Sequence, residues 1–120
     1  GYTYNGGERV GGLEHLLVDY NVDMFFAGHM HNYERLWPTY REQVIQKDYN
    51  KPWGPTHIIT GNAGCKEHLD NYDVEKYPWS AKTSSIYGFG ILDIYNRSLG
   101  IWRQFNADNG DIVDEIIIKK

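Results

Sequence analysis

The chain has 120 residues, 41% of them hydrophobic and 15% aromatic, with a formal net charge of −4. That size allows one small domain with a hydrophobic core, and the ten Tyr and four Trp residues argue against disorder. The acidic balance excludes an electrostatic footprint for nucleic acid, no apolar run approaches the ~20 residues of a membrane span, and the single cysteine, Cys65, excludes an internal disulfide.

The first element predicted along the chain is a short amphipathic helix, because residues 1–10 carry no helix or strand signal. Its apolar residues recur at helical spacing: Leu13, Leu16, Leu17 and Tyr20. Gly12 and the glycine before it open this helix, and Asn21 closes it. The apolar run at residues 22–27, bounded by Gly28, predicts a strand buried on both faces. In layered α/β domains, ligand sites collect beyond the carboxyl ends of such strands.

Strand signals dominate the last third of the chain. Residues 38–55 and 66–85 have the composition of loops, and residues 56–61 predict one short strand between them. Three further strands are predicted downstream, at 86–95, 99–106 and 112–119. They are separated by an Asn-Arg-Ser turn and by a turn that contains Asn-Gly, a strong hairpin signal. This region is therefore predicted to be an antiparallel meander.

Two histidines stand at the carboxyl end of the first predicted strand, in the stretch GHMHNYER. On an extended backbone, His29 and His31 point the same way, with Met30 turned away. Their side chains then start about 6–7 Å apart, a spacing that suits two ions better than one. Gly28 lets the backbone turn sharply or approach another segment. Neutral imidazole is a ligand for Zn, Fe, Mn or Cu.

Residue chemistry alone leaves a second interpretation of this pair. Two histidines on a loop can simply be solvated or bonded to backbone, and a metal site normally needs three or four protein ligands. The other histidines do not complete the set: His15 is expected on the polar helix face, His57 in a packed strand, and His68 in a charged, irregular stretch. A metal site built from this chain alone is therefore expected to be under-coordinated.

The stretch from Gly28 to Arg35 resembles the GHxHxYER motif of the purple acid phosphatases, which belong to the calcineurin-like metallophosphoesterases. The segments HIITGNAGCKE, PWSA and the C-terminal YGFGILDIYNRSLGIWRQFNADNGDIVDEIIIKK are similar to the animal-type branch of that family. The resemblance implies an α/β fold, namely the C-terminal part of a layered α/β/β/α sandwich. In it, one helix and short buried strands precede an antiparallel meander. Residues 1–64 would form the metal-ligand half and residues 65–120 a β-rich region.

The resemblance also implies a binuclear metal centre of Fe(III) plus Zn, Mn or Fe(II). His29 matches the ligand of the divalent ion and His31 the ligand of the ferric ion. The family's other metal ligands, and the histidines thought to assist the leaving group, belong to upstream motifs that this chain does not contain. No catalytic residue is therefore assigned here, and the missing N-terminal part of the same domain is expected as a partner.

The three residues that complete the motif are expected to support the site rather than to bind metal. Strand alternation turns the Tyr33 phenol towards the site, but the resemblance places the family's iron-bound tyrosine upstream. Glu34 and Arg35 either orient ligands through hydrogen bonds or form an ion pair that holds the loop. We favour the structural role for both.

The leading hypothesis is a parent enzyme that hydrolyses phosphate monoesters at acidic pH. Its two metals would clamp the phosphate and provide a metal-bound hydroxide as nucleophile. The isolated chain is expected to have little or no activity. One alternative is a calcineurin-like phosphodiesterase or nucleotide phosphatase, and another is a non-catalytic binding module from a degenerate member.

Asn96-Arg97-Ser98 is an N-glycosylation acceptor sequence in a predicted tight turn. An asparagine in such a turn can also serve only to accommodate unusual backbone angles. The resemblance favours glycosylation, because the animal-type branch carries an acceptor sequence at this place and is exported. It therefore implies a secreted, extracellular or lysosomal protein.

Overall fold

The computed structural model describes residues 12–71 and 77–120, together with the backbone of residues 3–5 and 8–10. The described residues form one helix and eleven strands. In chain order these are β1 (Thr3–Asn5), β2 (Glu8–Val10), α1 (Glu14–Asp19), β3 (Met24–Ala27), β4 (Tyr33–Leu36), β5 (Thr39–Tyr40), β6 (Gln43–Val44), β7 (Thr56–Thr60), β8 (Ser80–Ser84), β9 (Gly88–Asn96), β10 (Leu99–Asn106) and β11 (Ile112–Lys119).

Helix α1 forms where its apolar spacing predicts it. Leu13 is the N-cap, and Asn21 ends the helix in the left-handed region with a φ of 52°. Gly12 precedes the cap, whereas the glycine before it lies outside the described residues. Leu13 and Leu16 are 54% and 42% exposed, so much of the apolar face of α1 lies on the surface. Nowhere in the described parts of the chain does a helix reach the length and hydropathy needed to cross a membrane.

The first sheet has four strands in the order β3-β7-β4-β8. Strand β3 pairs with β7 in parallel, while β4 pairs antiparallel with both β7 and β8. The expectation that β3 is buried on both faces was wrong, because β3 lies at an edge of the described sheet and Phe26 within it is 40% exposed. The strand also starts at Met24, two residues later than predicted.

Several short strands were not predicted from the sequence. Strand β8 lies in a polar stretch that was expected to be irregular, and it is held by pairing with β4 rather than by its own apolar pattern. The small β5–β6 hairpin lies in the region expected to be a loop. The β1–β2 pair contradicts the absence of strand signal at residues 1–10. Two glycines separate β1 from β2 in the sequence, and a Gly-Gly pair is itself a hairpin signal.

The second sheet is the predicted antiparallel meander, with the order β11-β10-β9. Strands β10 and β11 have the predicted bounds, and β9 begins at Gly88, two residues later than predicted. The agreement follows from local signals: alternating strand residues, the Asn-Arg-Ser turn and the turn that contains Asn-Gly. Gly110 has a φ of 76° in the second of these turns, a conformation in which glycine avoids the penalty of a Cβ atom.

The two sheets pack face to face, and the core lies between them. It contains apolar residues from β4, β7, β10 and β11 and from the segment before β7: Tyr33, Ile58, Trp102, Ile116, Ile118 and Tyr49. Strand β4 therefore runs from the loop that carries the two histidines into the middle of this core. This connection fixes one end of the candidate site.

Candidate metal-binding site

The two histidines lie in the five-residue loop that joins β3 to β4. The loop begins with a tight turn, in which the Gly28 carbonyl accepts a hydrogen bond from the Met30 N–H at 2.9 Å. His29, at the centre of that turn, has a φ of 72°. These values describe a γ-turn of the positive-φ type, which is rare and strained. Backbone strain of this kind in a non-glycine residue costs about 1–3 kcal/mol and concentrates at functional sites.

Because of this turn, the prediction that His29 and His31 point the same way no longer follows from strand alternation. The backbone is not extended at His29, so the directions of His29 and His31 do not follow from a two-residue repeat. Gly28 has an ordinary φ and open space around it. The residue that makes the predicted sharp turn is thus His29 itself. His29 is exposed to solvent and His31 is half-buried.

His31 is held on its backbone and on its ring by one distant segment. Its N–H donates to Asp70 Oδ2 at 2.7 Å, and its Nδ1 lies 3.1 Å from the His68 carbonyl oxygen. A carbonyl oxygen can only accept, so Nδ1 carries the proton of the neutral ring. The lone pair of that ring is then on Nε2, which is the atom available to a metal.

The residue that follows β7 packs against the histidine loop. The Gly61 N–H donates to the Asn32 carbonyl at 3.0 Å. A Cβ atom at Gly61 would lie 1.9 Å from the Met30 carbonyl oxygen, so only glycine allows this close approach. Asn32 is 2% exposed, and its Oδ1 is buried without a hydrogen-bond partner in the part of the chain that the structure describes.

The Tyr33 side chain is fully buried between the sheets. Its hydroxyl donates to Asp114 Oδ2 at 2.7 Å and accepts from Trp102 Nε1 at 3.1 Å. Burial, and then the negative charge of Asp114, raise the pKa of Tyr33 above its ordinary value. The phenol is therefore a neutral hydrogen-bonding group inside the core.

Arg35 lies on the same side of β4 as Tyr33 and meets the same carboxylate. Its Nε and Nη2 donate to the two oxygens of Asp114 at 2.7 and 3.1 Å, and its Nη1 donates to the Tyr49 hydroxyl at 2.9 Å. Glu34 lies between them in the sequence, half-buried and paired with Ile59 and Thr83 in the sheet register. The motif thus joins β4 to β11 through a buried ion pair.

The remaining histidines lie apart from one another. His57 is on β7, where the centroid of its ring lies 5.6 Å from the centroid of the Phe25 ring. Burial lowers the pKa of His57 below its ordinary value. His15 is half-buried on α1, and His68 is exposed with a φ of 72°. Within the described residues, no three His, Cys, Asp or Glu side chains come together in a group that could hold a metal ion.

The sequence pattern did not indicate three of the residues around the loop. Asp70 lies in a polar stretch with many charged residues, and nothing in its spacing marks it. Asp114 belongs to an alternating strand, where a carboxylate on the inward face was the only available signal. Gly61 ends the strand predicted at residues 56–61, and a glycine at such a position also indicates close backbone approach.

Comparison with known proteins identifies the relatives of this chain. Residues 54–115 match the family described as iron/zinc purple acid phosphatase-like protein C. The chain is 43% identical over 110 residues to acid phosphatase type 7 of Homo sapiens, covering 88% of this chain and 25% of that protein. It is 38% identical over 114 residues to acid phosphatase type 7 of Danio rerio, covering 91% and 26% respectively.

A solved structure shows the same fold. Purple acid phosphatase from yellow lupin (Lupinus luteus) seeds superposes with a TM-score of 0.83 at 26% identity, over 91% of this chain and 19% of that chain. The predicted α/β fold class, a metallophosphoesterase sandwich with one helix and an antiparallel meander, is confirmed. The chain spans about a quarter of the length of the curated relatives it matches.

Proposed function

Because the chain belongs to the iron/zinc purple acid phosphatase-like family, we propose that it is part of an enzyme that hydrolyses phosphate monoesters with a binuclear metal centre. In this proposal His29 and His31 each bind one metal ion. The proposal is supported above all by the hydrogen bond of the His31 ring. Its Nδ1 is engaged by the His68 carbonyl, so its Nε2 is left to bind a metal.

The donor chemistry of the loop fits such a centre in part. Imidazole nitrogen suits Zn, Fe and Mn, and the exposed His29 is accessible to an ion and to a substrate. Two imidazoles do not complete the shell of two ions, and the described residues hold no third clustered ligand. In this proposal the remaining ligands come from other residues of the parent protein. Following the family pattern, we assign His29 to a divalent ion (Zn, Mn or Fe) and His31 to Fe(III).

When bound, a metal pair of this kind supplies Lewis-acid polarisation of a phosphoryl group. The residues of this chain hold the two imidazoles in place for that chemistry. The γ-turn at His29 and the close contact of Gly61 with the Met30 carbonyl fix the backbone of the loop. Tyr33 and Arg35 anchor the following strand to Asp114. Their role in this proposal is to support the ligands.

The test is alanine substitution of each histidine in the full-length protein. His29→Ala and His31→Ala should each lower turnover of a phosphate monoester by more than the roughly 10–100-fold typical of residues that only support a ligand. Each should also lower the metal content measured by elemental mass spectrometry. His15→Ala, which changes a histidine on α1, is the matched control and should leave both quantities unchanged. Near-normal turnover and two bound metals in either loop variant would contradict the assignment.

The same protein separates this proposal from its alternatives. A phosphodiesterase or nucleotide phosphatase would hydrolyse bis(p-nitrophenyl) phosphate or a nucleotide faster than p-nitrophenyl phosphate. A non-catalytic binding module would hydrolyse none of them, even when loaded with metal. We expect the monoester to be the best of the three substrates.

We also propose that Asn96 is glycosylated and that the parent protein is exported, to the extracellular space or the lysosome. Asn96 is exposed at the tight turn between β9 and β10, where its Oδ1 accepts from the Ser98 N–H at 2.8 Å. Asn109 makes the same contact with the Asp111 N–H in the next turn, but no Ser or Thr follows it two residues on. It is therefore a built-in control.

Mass analysis of peptides from the protein secreted by its host, before and after glycosidase treatment, tests this second proposal. The peptide that contains Asn96 should carry a glycan, and the peptide that contains Asn109 should not. Asn96 without a glycan in all of the secreted material would refute the modification, and it would leave the metal assignment untouched.

A further inference from the structure

The segment from His68 to Asp70 contacts His31 at three points, although it lies 37 to 39 residues away in the sequence. We propose that Asp70 is a positioning residue for His31. In this inference, which rests on the proposed function, Asp70 holds the His31 backbone so that the His68 carbonyl can select the ring tautomer that binds metal. Asp70 itself contacts neither the metal nor the substrate.

Two hydrogen bonds join Asp70 to the His31 backbone, one through the Asp70 carboxylate and one through the Asp70 N–H. The His31 N–H donates to Asp70 Oδ2 at 2.7 Å, and the Asp70 N–H donates to the His31 carbonyl at 2.9 Å. The first of these bonds is short for an N–H···O hydrogen bond. Together the two bonds fix the peptide groups on both sides of the His31 Cα atom. The position of the His31 Cα atom, to which the imidazole side chain is attached, is therefore fixed.

The ring itself is oriented by the His68 carbonyl. His68 has a φ of 72°, an unusual conformation for a residue other than glycine. Its carbonyl oxygen lies 3.1 Å from His31 Nδ1 and also accepts from the Cys65 thiol at 3.0 Å. A hydrogen bond from Nδ1–H to a backbone carbonyl fixes both the tautomer and the orientation of a metal-binding imidazole.

The segment is in turn tied to the first sheet. The Ser85 hydroxyl, directly after β8, donates to the Asp70 carbonyl at 2.9 Å. Strand β8 pairs with β4, and β4 is the strand that follows the histidine loop. Asp70 is therefore held by the same sheet that carries the histidine loop. This restricts the distance between Asp70 and the loop. Loss of the carboxylate should release the His31 N–H, while the bond from the Asp70 N–H to the His31 carbonyl and the pairing of the sheet remain.

The first experiment compares three variants of the full-length protein. Asp70→Ala removes the acceptor, whereas Asp70→Asn keeps a side-chain oxygen of the same shape for the His31 N–H. Glu67→Ala removes one negative charge from the exposed residue directly before this segment and is the matched control. The readouts are metal content, the rate at which each metal is lost to a chelator, and kcat and KM.

We expect Asp70→Ala to lose one metal about 10–100-fold faster than the wild type, the range typical of residues that orient a ligand. Its kcat should fall more than its KM changes. Asp70→Asn and Glu67→Ala should release metal at close to the wild-type rate. Release from Asp70→Ala at the wild-type rate would overturn the inference, and so would an Asp70→Asn variant as defective as Asp70→Ala.

A second measurement needs no variant and remains decisive if Asp70→Ala does not fold. In metal-free wild-type protein, long-range ¹H–¹⁵N spectra should show the neutral His31 ring protonated on Nδ1. A ring protonated on Nε2 would overturn the inference. Failure of the proposed function looks different, because the wild type itself would then lack bound metal or turnover.

Discussion

Among single residues, Arg35 and Asp114 make the buried ion pair of the described structure. The two side chains meet in a bidentate ion pair between the sheets, and each residue is only 9% exposed. Removing one partner of a buried pair typically costs about 3–5 kcal/mol, because the other charge is left uncompensated. Arg35 lies just four residues after His31 in the sequence. It therefore anchors the exit of the histidine loop to β11.

Tyr33 gives this cluster a measurable pH dependence. Burial and the charge of Asp114 raise the pKa of Tyr33, so the folded state keeps the phenolic proton at pH values where the unfolded chain has lost it. Stability from this group is fully present below the unfolded pKa of about 10. Above that pH the free energy of unfolding should fall by up to about 1.4 kcal/mol per pH unit. This slope corresponds to one proton that the folded state binds and the unfolded state does not.

The variant Tyr33→Phe should lose about 1–3 kcal/mol at neutral pH, because Asp114 loses a buried donor. It should also show a shallower decline in stability above pH ~10 than the wild type. Denaturant unfolding followed across the alkaline range measures both effects. Tyr20→Phe is the matched control, since Tyr20 is 78% exposed and should change neither. Parallel alkaline declines in wild type and Tyr33→Phe would show that Tyr33 does not hold its proton in the fold.

At the scale of elements, the candidate site is made by the ends of strands rather than by any one strand. The histidine loop lies between the carboxyl end of β3 and the start of β4, and the residue after β7 supports it from below. The two histidines therefore lie beyond the carboxyl end of a strand, as their place in the sequence predicts. The parallel pairing of β3 with β7 brings both carboxyl ends to the same edge of the sheet.

This arrangement makes Gly61 a sensitive position. Gly61→Ala would place a Cβ atom 1.9 Å from the Met30 carbonyl oxygen, so the loop backbone must move. Overpacking of this kind typically costs about 1–3 kcal/mol. We expect a lower melting temperature and a reduced metal content in the full-length protein.

The matched control is Gly64→Ala, since a Cβ atom at Gly64 meets nothing within 4 Å. That variant should melt and bind metal like the wild type. If Gly61→Ala also behaved like the wild type, the close packing of β7 against the loop would not be required for the site.

At the scale of the whole molecule, the inter-sheet core is small and apolar surface is plentiful. Among the described residues the hydrophobic core contains six buried side chains, whereas Leu13, Phe26 and Ile94 are 54%, 40% and 73% exposed. Buried apolar area is the main source of folding free energy. We therefore expect the 120-residue chain to have modest stability on its own.

The chain alone should also bind metal weakly. Two imidazoles cannot satisfy ions that prefer four to six ligands. Calorimetric titration of the 120-residue chain with Zn²⁺ should show no stoichiometric binding at micromolar concentration, whereas the full-length protein should retain its metals. Tight one-to-one binding by the chain that is abolished by His31→Ala would contradict this expectation.

The local signals of the sequence determined a good part of this protein. The meander of β9 to β11, strand β7 and helix α1 follow from alternation, helical spacing and turn residues, which act between near neighbours. The GHxHxYER stretch was sufficient to indicate the family. It was also sufficient to propose His29 and His31 as ligands, because the identity of a motif does not depend on how its loop is bent.

Only the tertiary structure decided how that loop is built. The pairing of the polar strand β8 and the contacts of Asp70 and Asp114 depend on hydrogen bonds between distant segments. Tyr33 shows the difference most clearly: alternation predicted a phenol facing the site, and the structure places it against Asp114, 81 residues away. Such contacts leave no periodic trace in the sequence, because their partners are brought together by sheet packing rather than by spacing along the chain.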